Sequence, residues 1–310
     1  MKFAAIDIGS NAVRLLFCNV YEDKGKTFFK KAELIRVPIR LGEDSFLNKR
    51  ISVKKADKLV TAMKAFKNLI DVYDAIDYRA CATSAMRDAE NGYDIVARVR
   101  KEAGIKIEII DGKTEADIIY SNHIEEHLDK ANNYLYIDIG GGSTEITLFS
   151  QNKVVVSQSF NIGTIRMLHE QIEKEYWNYF KNWIKEITSG YKPLIAIGSG
   201  GNINKMYKMI GRKPNKSIST LKIKTLYELL ESHSYDERMQ VFGLNPDRAD
   251  VIIPASKILL TVLKKAEIEK IIIPQIGLAD GIVHQLYEKH KEKKREKVLY
   301  SFSTNFSAAC

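Results

Sequence analysis

Cysteine is scarce: Cys18, Cys81 and Cys310 are the only three in 310 residues, and no metal-ligand spacing relates them. An odd count without such spacing excludes a disulfide scaffold and predicts a reducing compartment. Long apolar runs are missing too. The nearest, from Val251 to Leu263, is broken by Pro254 and Lys257, so nothing approaches the roughly 18 residues of a membrane span. The opening Met1 to Ile6 meets Asp7 too early for a signal peptide. Together these absences predict a cytoplasmic protein with no membrane partner. The six histidines form no cluster with the cysteines that suggests zinc or a nucleophilic triad. Aromatic residues do not interleave with the basic run from Lys289 to Lys297, and no RNA or DNA module is visible, which argues against specific nucleic-acid binding.

What is present is ordinary in bulk and particular in detail. Apolar residues make up 45% of the chain, enough for a buried core. The length suggests two domains or one large one. Lys and Arg number 48 against 39 Asp and Glu, a net charge of +9. That excess favours an anionic partner, although a solvated basic surface would give the same balance. Much of it sits in Lys289 to Lys297, which reads as a frayed helix end.

Two segments of the chain resemble each other. Phe3 to Ile6 and Val13 to Val20 flank Asp7-Ile8-Gly9-Ser10-Asn11; Tyr134 to Ile137 and Ile146 to Phe149 flank Asp138-Ile139-Gly140-Gly141-Gly142-Ser143-Thr144-Glu145. Each reads as a hairpin around a polar, glycine-containing turn, and the repeat reads as a duplication. Between them, Ser52 caps a helix whose Leu59, Met63, Phe66, Ile70 and Tyr73 share one face. Next come a strand at Tyr78 to Ala82, a polar loop from Thr83 to Asn91 and a helix from about Tyr93 to Gly104. A strand from Ile105 to Ile110 and a helix from about Thr114 to Leu128 complete this half. Strands alternating with helices predict an α/β layered domain. The second half continues through helices, a strand at Leu194 to Ile197 entering Gly198-Ser199-Gly200-Gly201, and a strand at Ile271 to Ile273 before a closing helix.

The glycine-rich turns carry the chemistry. Three consecutive glycines at 140–142 permit positive φ, so that backbone N–H groups can converge on an anion, and Ser143 and Thr144 add donors. Asp138 and Glu145 bracket the turn without being needed to hold it, which makes sense if a hard cation sits between them and a phosphate. Gly9, Ser10 and Asn11 gain weight from the repetition, Asp7 is a further candidate metal ligand, and Arg14 could clamp a phosphate or form a surface ion pair. Arg87, in the loop, could bind phosphate oxygens bidentately. Gly112-Lys113-Thr114 is not a Walker A end, because position 107 is Ile. Glu115, in the first turn of the following helix, suits either the helix dipole or a general base.

These residues resemble the exopolyphosphatase and guanosine pentaphosphate phosphohydrolase family. So do Ala82-Thr83-Ser84-Ala85-Met86-Arg87, Gly163-Thr164-Ile165-Arg166, Arg248-Ala249-Asp250 and Gly277-Leu278-Ala279-Asp280-Gly281. The resemblance spans nearly the whole chain. It implies the actin, sugar kinase and Hsp70 type of fold: two ribonuclease-H-like α/β lobes, 1–125 and 126–310, around a cleft, with helix 278–295 free to pack back on the first lobe. It implies a catalytic Glu115, metal ligands at Asp138 and Glu145, and phosphate binding by Gly9 to Asn11, Gly140 to Thr144, Arg87 and Arg248. Thr114, Ala12 and Ala255 depart from the family pattern without removing a group the chemistry needs. The family's longer members carry a helical domain with a His-Asp motif; no His-Asp pair occurs here, which resembles the short form. The expected activity is Mg²⁺-dependent release of the terminal phosphate of polyphosphate by a homodimer. The alternatives are guanosine pentaphosphate hydrolysis, a sugar-kinase-like ATPase, and a non-catalytic sensor of polyphosphate or nucleotide.

Overall fold

The computed structural model describes residues 1–121, 129, 131–211 and 217–307, with the backbone alone at 120 and 297–307. Two sheets organise it. The first has strand order β3-β2-β1-β4-β5, from β1 (Lys2–Ile8), β2 (Val13–Asp23), β3 (Lys26–Val37), β4 (Asp77–Ala82) and β5 (Ile107–Ile109). The second has order β10-β11-β9-β6-β7-β8, from β6 (Asn133–Ile139), β7 (Thr144–Ser150), β8 (Lys153–Phe160), β9 (Leu194–Ser199), β10 (Ile218–Ser219) and β11 (Lys270–Ile272). Setting β10 aside, the two orders are the same. An antiparallel pair (β1–β2, β6–β7) is extended by a third antiparallel strand on one side and by parallel strands on the other. This is the duplication that the repeated hairpins predict, and it agrees with the two ribonuclease-H-like lobes that the resemblance implies.

Each lobe has its own core. In the first, Ile6, Ile8, Leu15 and Phe17 pack against Leu59, Met63 and Phe66 of α2 (Val53–Val72). Ser52 caps α2 as expected, its hydroxyl accepting from the Lys55 N–H at 3.4 Å. The second core sets Leu135, Ile137 and Ile146 against Ile258, Leu259 and Val262 of α12 (Ile252–Lys265). A third cluster lies between the lobes. It joins Phe3, Ala5 and Cys18 to Tyr134, Tyr136 and Ile197, and is closed by Ile282, Val283 and Leu286 of α13 (Leu278–Ser307). The last helix therefore packs against β1, β2 and β4 of the first lobe, and it continues through the basic run.

The segment read as a polar loop contains a short helix, α3 (Ser84–Asp88), followed by α4 (Gly92–Ala103). β3, α1 (Leu41–Asn48) and the two-residue β10 escaped the sequence reading. The edge strand β3 carries too many charges to show alternation, and α1 is short. α5 (Gly112–Tyr120) starts two residues early, with the Asp111 side chain accepting from the Thr114 N–H at 2.7 Å. The rest of its expected course to Leu128, and the lobe boundary at 125, lie outside the described residues.

Candidate active site

The two hairpin turns close identically. The Gly9 N–H donates to the Ala12 carbonyl at 3.2 Å, and the Gly140 N–H to the Ser143 carbonyl at 2.9 Å. Contrary to expectation, none of Gly9, Gly140, Gly141 or Gly142 has positive φ. Crowding is what requires glycine. A Cβ on Gly142 would lie 2.4 Å from both Phe46 Cζ and Ser84 Oγ, and one on Gly141 would lie 2.9 Å from Ser10 Cβ. Turn 2 is thus pressed against turn 1 and the elements behind it. Ser10 and Ser84 share a hydrogen bond of 2.8 Å there.

Ion pairs lock the lobes at this junction. Arg36 pairs with Asp247. Arg40 Nη2 meets Asp250 Oδ2 at 2.7 Å. Arg166, 8% exposed, donates to the Gly142 carbonyl at 2.8 Å, pairs with Asp88 and lies 4.0 Å over the Phe46 ring. The Gly163–Arg166 and Arg248–Asp250 motifs therefore each contribute a strut between lobes.

Between the lobes lies a cleft of about 810 Å³. It is lined by Asp7, Gly9, Ser10, Asn11, Arg14, Glu115, Asp138, Gly140, Gly141, Ser143, Glu145 and Arg248, and so gathers most of the residues singled out in the sequence. Gly142, Thr144 and Arg87 stand behind it. The Thr144 hydroxyl donates to the Ile162 carbonyl at 2.5 Å, and Arg87 Nη1 to the Ile110 carbonyl at 2.7 Å. Sequence reasoning missed Lys31, Leu34 and Arg36 of β3, and Asn202, Asn204, Lys205 and Lys208 of α8 (Gly201–Ile210), all in the lining. A bulge at Ala32 explains the first three. Lys31 pairs with Cys18, whereas Leu34 and Arg36 pair with Leu16 and Arg14. The extra residue puts all three on the cleft face, against the simple period of two. On α8, Lys205 and Lys208 are three apart and share a face.

Charges of both signs line the cleft. Arg14, Arg36 and Arg248 face one another closely enough that burial and mutual repulsion drop the Arg248 guanidinium to about 10. The acids lie beside them, Asp7 paired with Arg14 at 2.8 Å and Asp138 within reach of its charge. Burial raises Glu115 well above its ordinary value, with Glu145, Asp138 and Asp7 adding to the rise and Arg87 opposing it. Burial also raises Glu145, against hydrogen bonds from Ser143 and Ser159. Asp138 is pushed up to about 7 by burial first and then by Glu145.

Several polar atoms of the lining are buried without a partner: Asn11 Oδ1, Glu115 Oε2, Thr164 Oγ1, Asn202 Oδ1 and Asn204 Oδ1. Buried polar groups are ordinarily hydrogen-bonded, so such atoms call for a ligand, water or ion. Among the described residues no three His, Cys, Asp or Glu side chains converge to enclose a metal. One or two carboxylates with positions left for water and phosphate are, however, what Mg²⁺ takes. The crowded Asp138–Glu145 pair, raised despite Arg14, Arg87 and the serine hydrogen bonds, and the orphaned Glu115 oxygen fit such a cation. A cleft lined by both carboxylates and guanidinium groups can hold a phosphate chain with its end at the acids.

A model of the Ppx/GppA phosphatase family matches residues 22–290. The chain belongs to that family. It is 32% identical over 283 residues to the bifunctional 3-dehydroquinate synthase/phosphatase of Fusobacterium nucleatum, covering 84% of this chain and 43% of that protein. It thus spans less than half of that relative. Exopolyphosphatase 1 of Mycobacterium tuberculosis is 22% identical over 91% of this chain and 87% of its own. Among solved structures, the Aquifex aeolicus member of the Ppx/GppA family superposes with a TM-score of 0.71 at 25% identity, covering 94% of this chain and 98% of that one. An exopolyphosphatase from Cytophaga hutchinsonii shares the fold with a TM-score of 0.81 at 22% identity, covering 93% and 98%. This family member is therefore a phosphatase with the two-lobe actin-like fold. No helix among its described residues is long and apolar enough to cross a membrane.

Proposed function

We propose that this phosphatase is an exopolyphosphatase that releases the terminal phosphate of inorganic polyphosphate with the help of Mg²⁺. One observation carries the reading. Glu115 of α5 and Asp138 and Glu145 of the second hairpin crowd together in a cleft also walled by Arg14, Arg36, Arg248, Lys31, Lys205 and Lys208. The cationic walls bind phosphate oxygens by charge-assisted hydrogen bonds. Gly9 to Asn11 and Gly140 to Thr144 bracket the end of the chain from the two lobes. Asp138 and Glu145 hold the cation, with Asp7 beside them; when bound, the cation neutralises charge on the phosphoryl group. Glu115 orients the attacking water and takes its proton, a task that its raised proton affinity suits. Arg87, held from behind by the Ile110 carbonyl, acts on Glu115 and Glu145 through its charge, which favours their ionised forms. Free thiols at Cys18 and Cys81 support a cytoplasmic setting, and the same reading carries a homodimer, which sedimentation would test.

A second reading, guanosine pentaphosphate as substrate, is favoured by Leu34. It is 55% exposed in the lining of the cleft, which Ile276 also lines, apolar surface that suits a base and has no use for a bare phosphate chain. Phosphate release from each substrate, with Mg²⁺ present or chelated, separates the two. Glu115→Gln should fold normally and lose about 10²–10⁴-fold in kcat; near-normal turnover removes Glu115 from its role.

A further inference from the structure

Gly281 does not line the cleft and has no part in the chemistry proposed for it. It stands in the first turn of α13, where that helix crosses α5. Its φ is not positive, so conformational freedom does not explain it. Space does. A Cβ at this position would lie 1.8 Å from the Ile118 carbonyl oxygen and 2.7 Å from its carbon. Carbon and carbonyl oxygen ordinarily approach no closer than about 3.3 Å. The obstacle is helix backbone, which cannot rotate away as a side chain can.

Ile118 and Glu115 share α5. At 1.5 Å per residue they are about 4.5 Å apart along its axis, and nine residues of helix move as one body. The other end of α5 is equally confined. A Cβ on Gly112 would lie 2.8 Å from Ser159 Cβ on β8. Ser159 in turn donates to Glu145 Oε1 at 2.8 Å. The helix is wedged between α13 and the strand that orients Glu145.

We propose that Gly281 is a positioning residue: its missing side chain lets α13 hold α5 against β8, and this contact sets Glu115 opposite Glu145. The proposal rests on the assignment of Glu115 as the base. It predicts that crowding at Gly281 displaces Glu115 and leaves the phosphate-binding walls in place.

The test is a double-mutant cycle on phosphate release from polyphosphate, using Gly281→Ala, Glu115→Gln and both together, with circular dichroism to confirm folding. Gly281→Ala should lower kcat about 10- to 100-fold, the range expected for a displacement of about 1 Å, and leave KM within about twofold. The double variant should be no slower than Glu115→Gln alone, because a group already removed cannot be misplaced. A near-wild-type kcat in Gly281→Ala, or a double variant slower by the full product, overturns the proposal. Wild-type turnover in Glu115→Gln alone rejects the base assignment whatever Gly281→Ala does. Should Gly281→Ala not fold, Gly112→Ala presses the same helix from its other end. A loss that vanishes in the Glu115→Gln background then supports the proposal, and an equal loss in both backgrounds overturns it.

Discussion

Asp138 makes the metal-free enzyme respond to pH in an unusual direction. Its carboxyl is raised from 3.8 to about 7, first by burial and then by the charge of Glu145. Below the unfolded value it is protonated in both states and costs nothing. As pH rises through the interval, the unfolded chain sheds the proton while the folded chain keeps it, so stability falls until the folded value is passed. Three pH units at 1.36 kcal/mol each give a ceiling of about 4 kcal/mol. Of this, roughly 2 to 3 kcal/mol develops between about pH 5 and about pH 8. For a cooperative unit of ~150–250 residues that is about 5–10 °C in Tm. Asp138→Asn removes the effect, since an amide does not titrate. Thermal melts with chelator present should therefore show wild type losing about 5–10 °C more than Asp138→Asn between these two pH values. Added Mg²⁺ should recover the loss at the higher pH and do little for the variant. Parallel pH slopes in the two proteins would refute the argument.

Two more outcomes follow from the geometry. Gly142→Ala drives a methyl into Phe46 and Ser84, so calorimetry should find it destabilised by about 1–3 kcal/mol, the usual range for overpacking; phosphate release should fall with it as turn 2 is displaced. Lys205→Ala combined with Lys208→Ala strips charge from one wall without touching the acids. KM for polyphosphate should rise severalfold and become less sensitive to salt, while kcat holds; an unchanged KM would take α8 out of the phosphate track.

Much of this molecule is legible in its sequence, and what was hidden has identifiable causes. The duplication shows because Asp-Ile-Gly recurs between a strand and a turn, and both turns keep their closing hydrogen bond. The acids show because nothing in a turn requires them. The basic walls do not show. Lys31 and Arg36 reach the cleft through a bulge at Ala32, which a strict alternation hides, and Lys205 and Lys208 look like solvated positions of any helix. Arg87 reads in the sequence as a phosphate ligand, yet it stands behind the cleft with its guanidinium turned to the Ile110 carbonyl. The glycines were found for one reason and are held for another, since crowding between elements far apart in sequence cannot be seen until they meet.

The two hairpins also differ where it matters. In register, Asp7 faces Arg14 and Asp138 faces Glu145. The first pair is an ion pair of 2.8 Å and needs nothing further. The second sets like charges directly across a strand pair, which is destabilising by itself, in a buried site where neither can be solvated. A fold made of two similar halves thus keeps one strand pair neutral and leaves the other two charges in deficit. The imbalance assigns the halves different tasks. In the function proposed above, Arg14 turns the first hairpin toward the anion and Glu145 turns the second toward a cation. In that reading a phosphate end lying between them meets both, with Glu115 delivered to the same point by a helix held between α13 and β8.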